Sequence, residues 1–299
     1  MQADNGKLTL QNDIRRLEAE LAEARARLSA IKPTDVELSV DVSSGPSRDA
    51  AAFNSSSSPS HHLLLLADSA LPLGSFAFSS GLESYLAHHS PAHNAQPSTL
   101  PTFMHMSILS LASTTLPYLI AAYRSPDRIC ELDDELDACL LCPVARRASI
   151  SQGKALITIW ERSLRAEAAQ SPAKEALWVF CARLKASRDV SSEDEVEINA
   201  HFPLVYALVC AAQGLSLHEA AFTYLFNHAK TVASAAVRAG LLGPYAAQAL
   251  LASKWLEGEI EGALVKEWAK DVREAGQPVP ALDVWIGRHE LLYSRIFNS

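Results

Sequence analysis

The spacing of apolar side chains along this sequence is helical almost throughout. Helices are predicted over residues 62–69, 79–88, 99–123, 143–169, 172–187, 202–213, 217–239 and 244–271, with a short turn near 281–286. Runs that alternate apolar and polar side chains, as half-buried strands do, are absent from the sequence. The pattern therefore predicts an all-α fold, a helical bundle.

Two of these segments carry the clearest signals. From Phe222 to Val237 the apolar side chains recur at i, i+3 and i+4, so they fall on one helix face. Gly240 suits the C-terminal cap of that helix, and Pro244 suits the first turn of the next one. The run 204–212 is apolar on all sides, which is typical of a central helix surrounded by others.

The first sixty residues have a different character. Between Leu10 and Ile31 apolar residues follow one another at alternating steps of four and three, the seam of a short coiled coil. Pro33 ends this helix, and Ser, Asp and Pro dominate the residues that follow. We interpret residues 1–32 as a short coiled-coil-like helix, residues 33–60 as a flexible Ser-rich linker and residues 61–299 as an all-α domain.

Charge and composition narrow the class of protein. The formal charge of −8 argues against general affinity for nucleic acid or anionic lipid. Much of the acidity lies in residues 127–142 and 189–197, which we interpret as solvated loops. No secretory signal is visible, the apolar runs 63–67 and 204–212 fall short of the roughly 18 residues that span a bilayer, and the five cysteines are irregularly spaced. We expect a soluble cytoplasmic protein with reduced thiols.

Motifs for independent catalysis are missing. The sequence contains no G-x-S-x-G elbow, no phosphate-binding P-loop and no H-E-x-x-H helix, so no intrinsic enzyme activity is predicted. Cys139 and Cys142 form a single C-x-x-C, which we interpret as two buried thiols at a helix start. Imidazole suits nickel, and histidines cluster at His61, His62, His88, His89 and His93. Direct nickel binding is therefore kept as an alternative, as is a helical scaffold that works through residues 8–31.

Three polar or aromatic segments stand out in the predicted bundle. The segment 66–83 breaks at Pro72 and Gly74 and carries two aromatic side chains. Ser80 precedes Glu83 by three residues, as in a capping box, so Glu83 has either this local role or a role in a loop that presents a partner surface. The second segment is the polar edge of helix 217–239, for which solvation is the default; it comprises Asn227, Lys230, Thr231, Ser234 and Arg238.

The third segment is the C-terminal tail, residues 289–299. Chain termini are usually polar and frayed, yet this one keeps apolar side chains almost to its end, at Leu291, Leu292, Tyr293, Ile296 and Phe297. Something must cover them. Packing on the body of the same chain and docking into a partner groove are equally compatible with the sequence.

These segments resemble a known family. Residues 66–83 are similar to L-A-D-S-x-L-P-x-G-G-F-x-x-S-x-G-L-E, a signature of the UreF family of urease accessory proteins, with Ser75 in place of the second glycine. The tail resembles the family ending H-E-x-x-Y-S-R-L-F-x-S, with Ile296 in place of leucine. Residues 227–251 are similar to the family's helix, glycine turn and helix. The resemblance covers residues 61–299, whereas the first 60 residues make a longer start than is usual in the family.

The resemblance implies an accessory protein that is not an enzyme. It implies a homodimer that binds a UreD-type (UreH-type) accessory protein, recruits a UreG-type GTPase and acts on apo-urease; nickel is the cargo, and no cofactor is bound directly. Whether the GTPase is stimulated or restrained is left open, with Arg238 the first candidate for a residue acting on it in trans. The partner-binding residues implied are Asp68, Ser69, Pro72, Gly74, Phe76, Phe78, Gly81, Glu83, Lys230, Ser234, Arg238, His289, Glu290, Tyr293, Arg295 and Phe297.

Overall fold

The computed structural model describes residues 61–89, 99–189 and 198–298, and in these residues it is helical without a strand. The predicted all-α fold is thus confirmed. The chain divides into two units, Met1–Ser57 and Ser58–Ser299, and the described residues belong to the second. The predicted coiled-coil-like helix 1–32 and linker 33–60 lie outside the described residues, as does most of the acidic stretch 189–197.

Eleven α-helices follow one another in the described residues. They are α1 (His61–Ala67), α2 (Leu82–His89), α3 (Thr99–Arg124), α4 (Ile129–Cys139), α5 (Pro143–Ile159), α6 (Pro172–Asp189), α7 (Phe202–Ala212), α8 (Leu217–Arg238), α9 (Pro244–Leu251), α10 (Lys254–Glu267) and α11 (Pro280–Arg288).

Helix α7 lies at the centre of the bundle. It packs against α3, α5, α6 and α8, and from Pro203 to Cys210 every residue is buried. The prediction of a central helix is therefore confirmed. Helix α3 is long and apolar enough to cross a membrane, but two-thirds of that stretch is buried inside the bundle (67%). This is weak evidence for a span, because core helices of folded domains have the same character.

The turn between α8 and α9 has the predicted geometry. Gly240 adopts a φ of 72°, and the N–H of Leu241 reaches back to the carbonyl of Ala236 at 2.9 Å, which closes the end of α8. Pro244 occupies the first position of α9, as predicted. At its other end α8 begins with a capping box between Ser216 and Glu219.

Two of the predicted long helices are interrupted. Residues 143–169 form α5 only as far as Ile159, and a π-helical turn, Trp160–Leu164, follows it. Residues 244–271 form two helices because Ser253 starts a new one, its hydroxyl accepting from the N–H of Leu256 at 3.2 Å. The apolar spacing continues through both breaks, so it gave no sign of them.

The interpretation of residues 127–142 as a solvated loop was wrong. They form a short 3₁₀ turn and then α4, in which Ile129, Leu132 and Leu136 are buried on one face. Spacing of three and four places these side chains together, while most of the acidic side chains point outward. Most of the acidic residues therefore lie on the exposed face of a helix, and not in a loop.

One acid of α4 is buried and organises the entry to α7. The carboxylate of Asp133 accepts hydrogen bonds from the backbone N–H groups of Asn199, Ala200 and His201, at 2.7, 3.0 and 2.8 Å. At this point Ala200 has a φ of 64°, which is costly for a residue with a Cβ. The three hydrogen bonds offset that cost and fix the turn against α5, where Gly153 lies under it.

Candidate functional site: a clasped tail beside a cavity

The signature segment turns sharply before α2. Ser80 and Gly81 both have positive φ, 52° and 86°, so the helix begins only at Leu82. A Cβ on Gly81 would lie 2.8 Å from Cγ1 of Ile286 in α11, which explains why glycine is required there. This close approach of α2 and α11 brings Glu83 next to the C-terminal tail.

Glu83 holds the tail rather than capping its own helix. Its carboxylate accepts from Nε2 of His289 at 2.7 Å, from the N–H of Ile296 at 2.7 Å and from the N–H of Phe297 at 3.3 Å. The capping box with Ser80 was therefore wrong: the hydroxyl that accepts from the N–H of Glu83 is that of Ser79. We call this arrangement the Glu83 clasp.

Aromatic packing secures the end of the tail. The ring of Phe297 is buried, and the guanidinium carbon of Arg238 lies 4.4 Å from its centroid, a cation–π contact. The N–H of Asn298 donates to the carbonyl of Ala77 at 2.8 Å, which joins the tail to residues 68–81 between α1 and α2, here called the signature loop. Arg238 and Glu83 therefore both contact the C-terminal tail, Arg238 at the ring of Phe297 and Glu83 at its backbone N–H. The sequence motifs gave no sign of this shared contact.

The docked tail leaves an apolar surface uncovered. Tyr293 is fully exposed and Ile296 is exposed to 64%, while on the neighbouring loop Phe76 is exposed to 68%. We call Phe76, Leu291, Tyr293 and Ile296 the tail surface. The structure shows packing on the same chain for Phe297 and His289, which are buried, while Leu291, Tyr293 and Ile296 are exposed. Docking of the tail into a partner stays a prediction.

The remaining tail residues lie at the edge of this surface. Glu290 pairs with Arg147 of α5, and both side chains are substantially exposed. Arg295 is exposed as well. An exposed ion pair contributes little to stability, so this edge is held mainly by the Glu83 clasp and Phe297.

A cavity of about 490 Å³ opens beside the tail surface. The signature loop forms one wall and the polar edge of α8 another, while residues of α3, α4, α5 and α11 line the rest. The structure therefore brings six of the sequence-predicted residues to one place: Asp68, Ser69, Phe76, Phe78, Lys230 and Ser234. Pro72 and Gly74 shape the loop between them, Gly74 with a φ of 72°.

The polar edge of α8 is only partly solvated, contrary to the default interpretation. Asn227 donates from Nδ2 to the carbonyl of Leu66 at 2.9 Å, and Nζ of Lys230 donates to the carbonyl of Ala67. Desolvation lowers the pKa of Lys230. The last carbonyl groups of a helix have no N–H partner within that helix. These two side chains supply the missing hydrogen bonds at the end of α1. Ser234 and Arg238 are exposed, as expected.

The cysteine pair was also placed differently from the prediction. Cys139 is the last residue of α4 and is exposed, whereas Cys142 is buried and precedes α5. In the described residues no group of three or more His, Cys, Asp or Glu side chains is arranged to hold a metal ion.

Some residues of the site had no signal in the sequence. Gln152 of α5 accepts from the hydroxyl of Ser75 at 2.9 Å and so fixes the signature loop to the bundle. Ile286 supports Gly81. The sequence around both residues is typical of a helix. Their importance for the site follows only from contacts with residues that are distant in the sequence.

Taken together, the fold and the site define an all-helical protein whose most distinctive feature is a C-terminal tail clasped beside an exposed apolar surface. The UreF family model matches residues 95–253. A urease accessory protein UreF-like of Schizosaccharomyces pombe, described as uncharacterized, is 34% identical over 244 residues, 82% of this chain and 99% of that protein. The chain therefore belongs to the UreF family of urease accessory proteins.

Further relatives extend the similarity beyond fungi. Urease accessory protein F of Oryza sativa subsp. indica is 32% identical over 277 residues, which covers 92% of this chain and 95% of the relative. Urease accessory protein UreF of Haemophilus influenzae (strain PittGG) is 27% identical over 243 residues, 79% of this chain and 94% of the relative. These similarities support a role in urease maturation as an accessory protein, not as an enzyme.

Proposed function

We propose that this protein matures urease by binding a UreD-type (UreH-type) accessory protein through the tail surface. The complex then recruits a UreG-type GTPase and acts on apo-urease in the cytoplasm, with nickel as cargo and no cofactor held by this chain itself. The observation that carries the proposal is the exposure of Phe76, Tyr293 and Ile296 around a tail that is otherwise anchored. Exposed aromatic and apolar side chains on a rigid support are typical of interface hot spots.

The anchoring makes the proposal energetically reasonable. A free tail would lose conformational entropy when it binds a partner, whereas a tail held by Glu83 and Phe297 has already lost much of it. Arg238 contributes to this support through Phe297. A charge reversal at Arg238 therefore cannot separate a GTPase contact from the tail, and substitutions on the outward face of the tail are the more selective test.

The double substitution Tyr293→Ala/Ile296→Ala is expected to weaken capture of a UreD-type protein about 100-fold, because two exposed side chains of an interface centre are removed (~2–4 kcal/mol). The measurement is co-purification and the Kd from biolayer interferometry, with the UreG-type GTPase added as a second readout. Trp178→Ala, an exposed aromatic on α6, is the matched control. Unchanged affinity of the double variant would refute the tail surface as the interface.

A second surface supports the proposed homodimer. Residues 239–253 contain no charged side chain, although much of this stretch is exposed at the start of α9. Tyr245 is 90% exposed. Depletion of charge and exposure of tyrosine are typical of the centre of a protein interface. We propose that α9 packs against its counterpart in a second copy of the chain.

Tyr245→Asp is expected to convert the dimer to a monomer, because burial of an unpaired carboxylate in an apolar contact is unfavourable. Light scattering after size-exclusion chromatography measures the mass directly. Trp178→Asp serves as the control for a new charge at an exposed aromatic position. A Tyr245→Asp protein that is still dimeric would place the interface elsewhere.

A further inference from the structure

The cavity beside the tail surface has the size of a small-molecule site. Its volume of about 490 Å³ lies within the range of roughly 300–1,000 Å³ typical of such sites, and most of its wall is apolar. The hydrogen-bonding character of the polar groups in the wall therefore decides which molecule would fit.

The donors of the wall are largely used by the protein itself. Five hydroxyl groups of the wall donate hydrogen bonds to other protein groups, at distances of 2.6–3.0 Å. Two donate to side chains, Ser75 to Gln152 and Ser110 to Gln277. Three donate to backbone carbonyls of their own helix: Thr114, Thr115 and Thr231. The ammonium of Lys230 and the amide of Asn227 are engaged with α1. The oxygen of a hydroxyl that donates one hydrogen bond still has lone pairs, so these oxygens can accept hydrogen bonds from a molecule in the cavity.

The wall carries three charged side chains, Asp68, Lys230 and Asp283. Asp68 and the ammonium of Lys230 interact with each other, so their opposite charges offset one another. Asp283 of α11 is half-buried, and its side chain accepts from Nε2 of Gln277 at 3.0 Å. Among the described residues it forms no ion pair. Desolvation raises the pKa of Asp283, as expected for a carboxyl without a cation beside it. His228 adds no positive charge near neutral pH, because desolvation lowers its pKa to about 4.

We propose that this cavity binds a small aliphatic amine, with the alkyl chain against the apolar wall and the ammonium group at the carboxylate of Asp283. An ammonium offers three donors and one positive charge, which match a wall that has acceptors, few available donors and, at Asp283, a carboxylate that forms no ion pair with the described residues. An alcohol of equal length offers one donor and no charge. A carboxylate offers only acceptors and would meet Asp283 with like charge.

Three probes with the same alkyl chain test this assignment: n-octylamine, 1-octanol and octanoate, each titrated into the full chain by isothermal calorimetry at pH 7. The amine is expected to bind at least about tenfold more tightly than the alcohol, since a charge-assisted hydrogen bond is added. Octanoate is expected to bind more weakly than the alcohol. Equal binding of all three, or no binding of the amine, overturns the proposal.

Two variants assign the binding to the cavity. Asp283→Asn retains an oxygen for the bond from Gln277 and is expected to abolish the preference for amine over alcohol. Ala148→Phe, which fills the cavity from α5, is expected to abolish binding of both. Glu261→Gln removes an exposed carboxylate of α10 and is the control, with no expected effect. Thermal melting checks that each variant is folded, and an unchanged amine preference in Asp283→Asn overturns the anchor. Tyr293 and Ile296, which the partner-binding test changes, do not line the cavity, so the two tests can fail separately.

Discussion

Replacement of Gly153 by alanine is expected to lower the free energy of unfolding by about 3 kcal/mol or more, at the upper end of what overpacking of a core costs. A Cβ at this position would lie 1.8 Å from the carbonyl oxygen of Ala200 and 3.0 Å from the backbone nitrogen of Phe202. Both neighbours are backbone atoms, so no rotamer change can relieve the overlap. Helix α5 would have to move away from the start of α7.

The movement would also break the polar contacts at this crossing. The turn 199–201 is held by the carboxylate of Asp133, and His201 bonds Ser149 of α5 at 3.1 Å and Asp137 of α4 at 3.0 Å. These groups are buried or half-buried, and buried groups left without partners cost about 1–3 kcal/mol each. Steric overlap and polar loss therefore act in the same direction.

Urea unfolding followed by circular dichroism at 222 nm measures the effect. Gly258→Ala is the matched control, because Gly258 lies within α10, is exposed and has no atom within 4 Å of its added Cβ. This control is expected to gain about 0.5–1 kcal/mol from the higher helix propensity of alanine. Equal midpoints for wild type and Gly153→Ala would show that α5 and α7 are not in backbone contact.

The sequence predicted what depends on neighbours along the chain. The central position of α7 follows from its unbroken apolar composition, and the end of α8 follows from Gly240 and Pro244. Helix α4 was missed because five of its 11 residues are acidic, although Ile129, Leu132 and Leu136 have helical spacing. In this case burial of one narrow face was sufficient, and the average composition was misleading.

Long-range contacts set the limit of prediction at the site. The capping-box rule pairs Glu83 with Ser80, three residues away. In the structure the carboxylate of Glu83 instead bonds His289, which lies 206 residues further along the chain. The resemblance to the family implied that Glu83 and His289 both bind a partner, but it could not show that the two side chains are in contact. Likewise, helical spacing placed Lys230 opposite the apolar face of α8, yet the end of α1 covers it.

The substitution Glu83→Gln is expected to release the C-terminal tail. One carboxylate oxygen accepts from Ile296, and the other accepts from His289 and Phe297. An amide can replace only one of these oxygens, so its NH₂ group must face a donor. Backbone N–H groups of the tail then find better partners in water than at Glu83, and residues 296–298 undock.

Hydrogen exchange followed by mass spectrometry detects the release. Exchange at residues 296–298 is expected to rise to the rate of an open segment, while α7 in the core keeps its protection. Glu290→Gln is the control, since its carboxylate pairs with Arg147 on the exposed surface and contributes little to docking. Protection of the tail in Glu83→Gln that equals wild type would show that Phe297 alone is sufficient to hold it.

The same variant determines whether the docked tail is the form that binds. A tail already fixed at Glu83 loses less entropy on association, so Glu83→Gln is expected to weaken capture of a UreD-type protein by about tenfold, or ~1.4 kcal/mol. Glu261→Gln, which changes an exposed carboxylate of α10 outside the predicted partner-binding residues, should leave the affinity within about twofold of wild type. Tighter binding by Glu83→Gln would contradict this order of events. It would mean that the tail must leave Glu83 before it reaches the partner, and that the clasp restrains binding instead of preparing it.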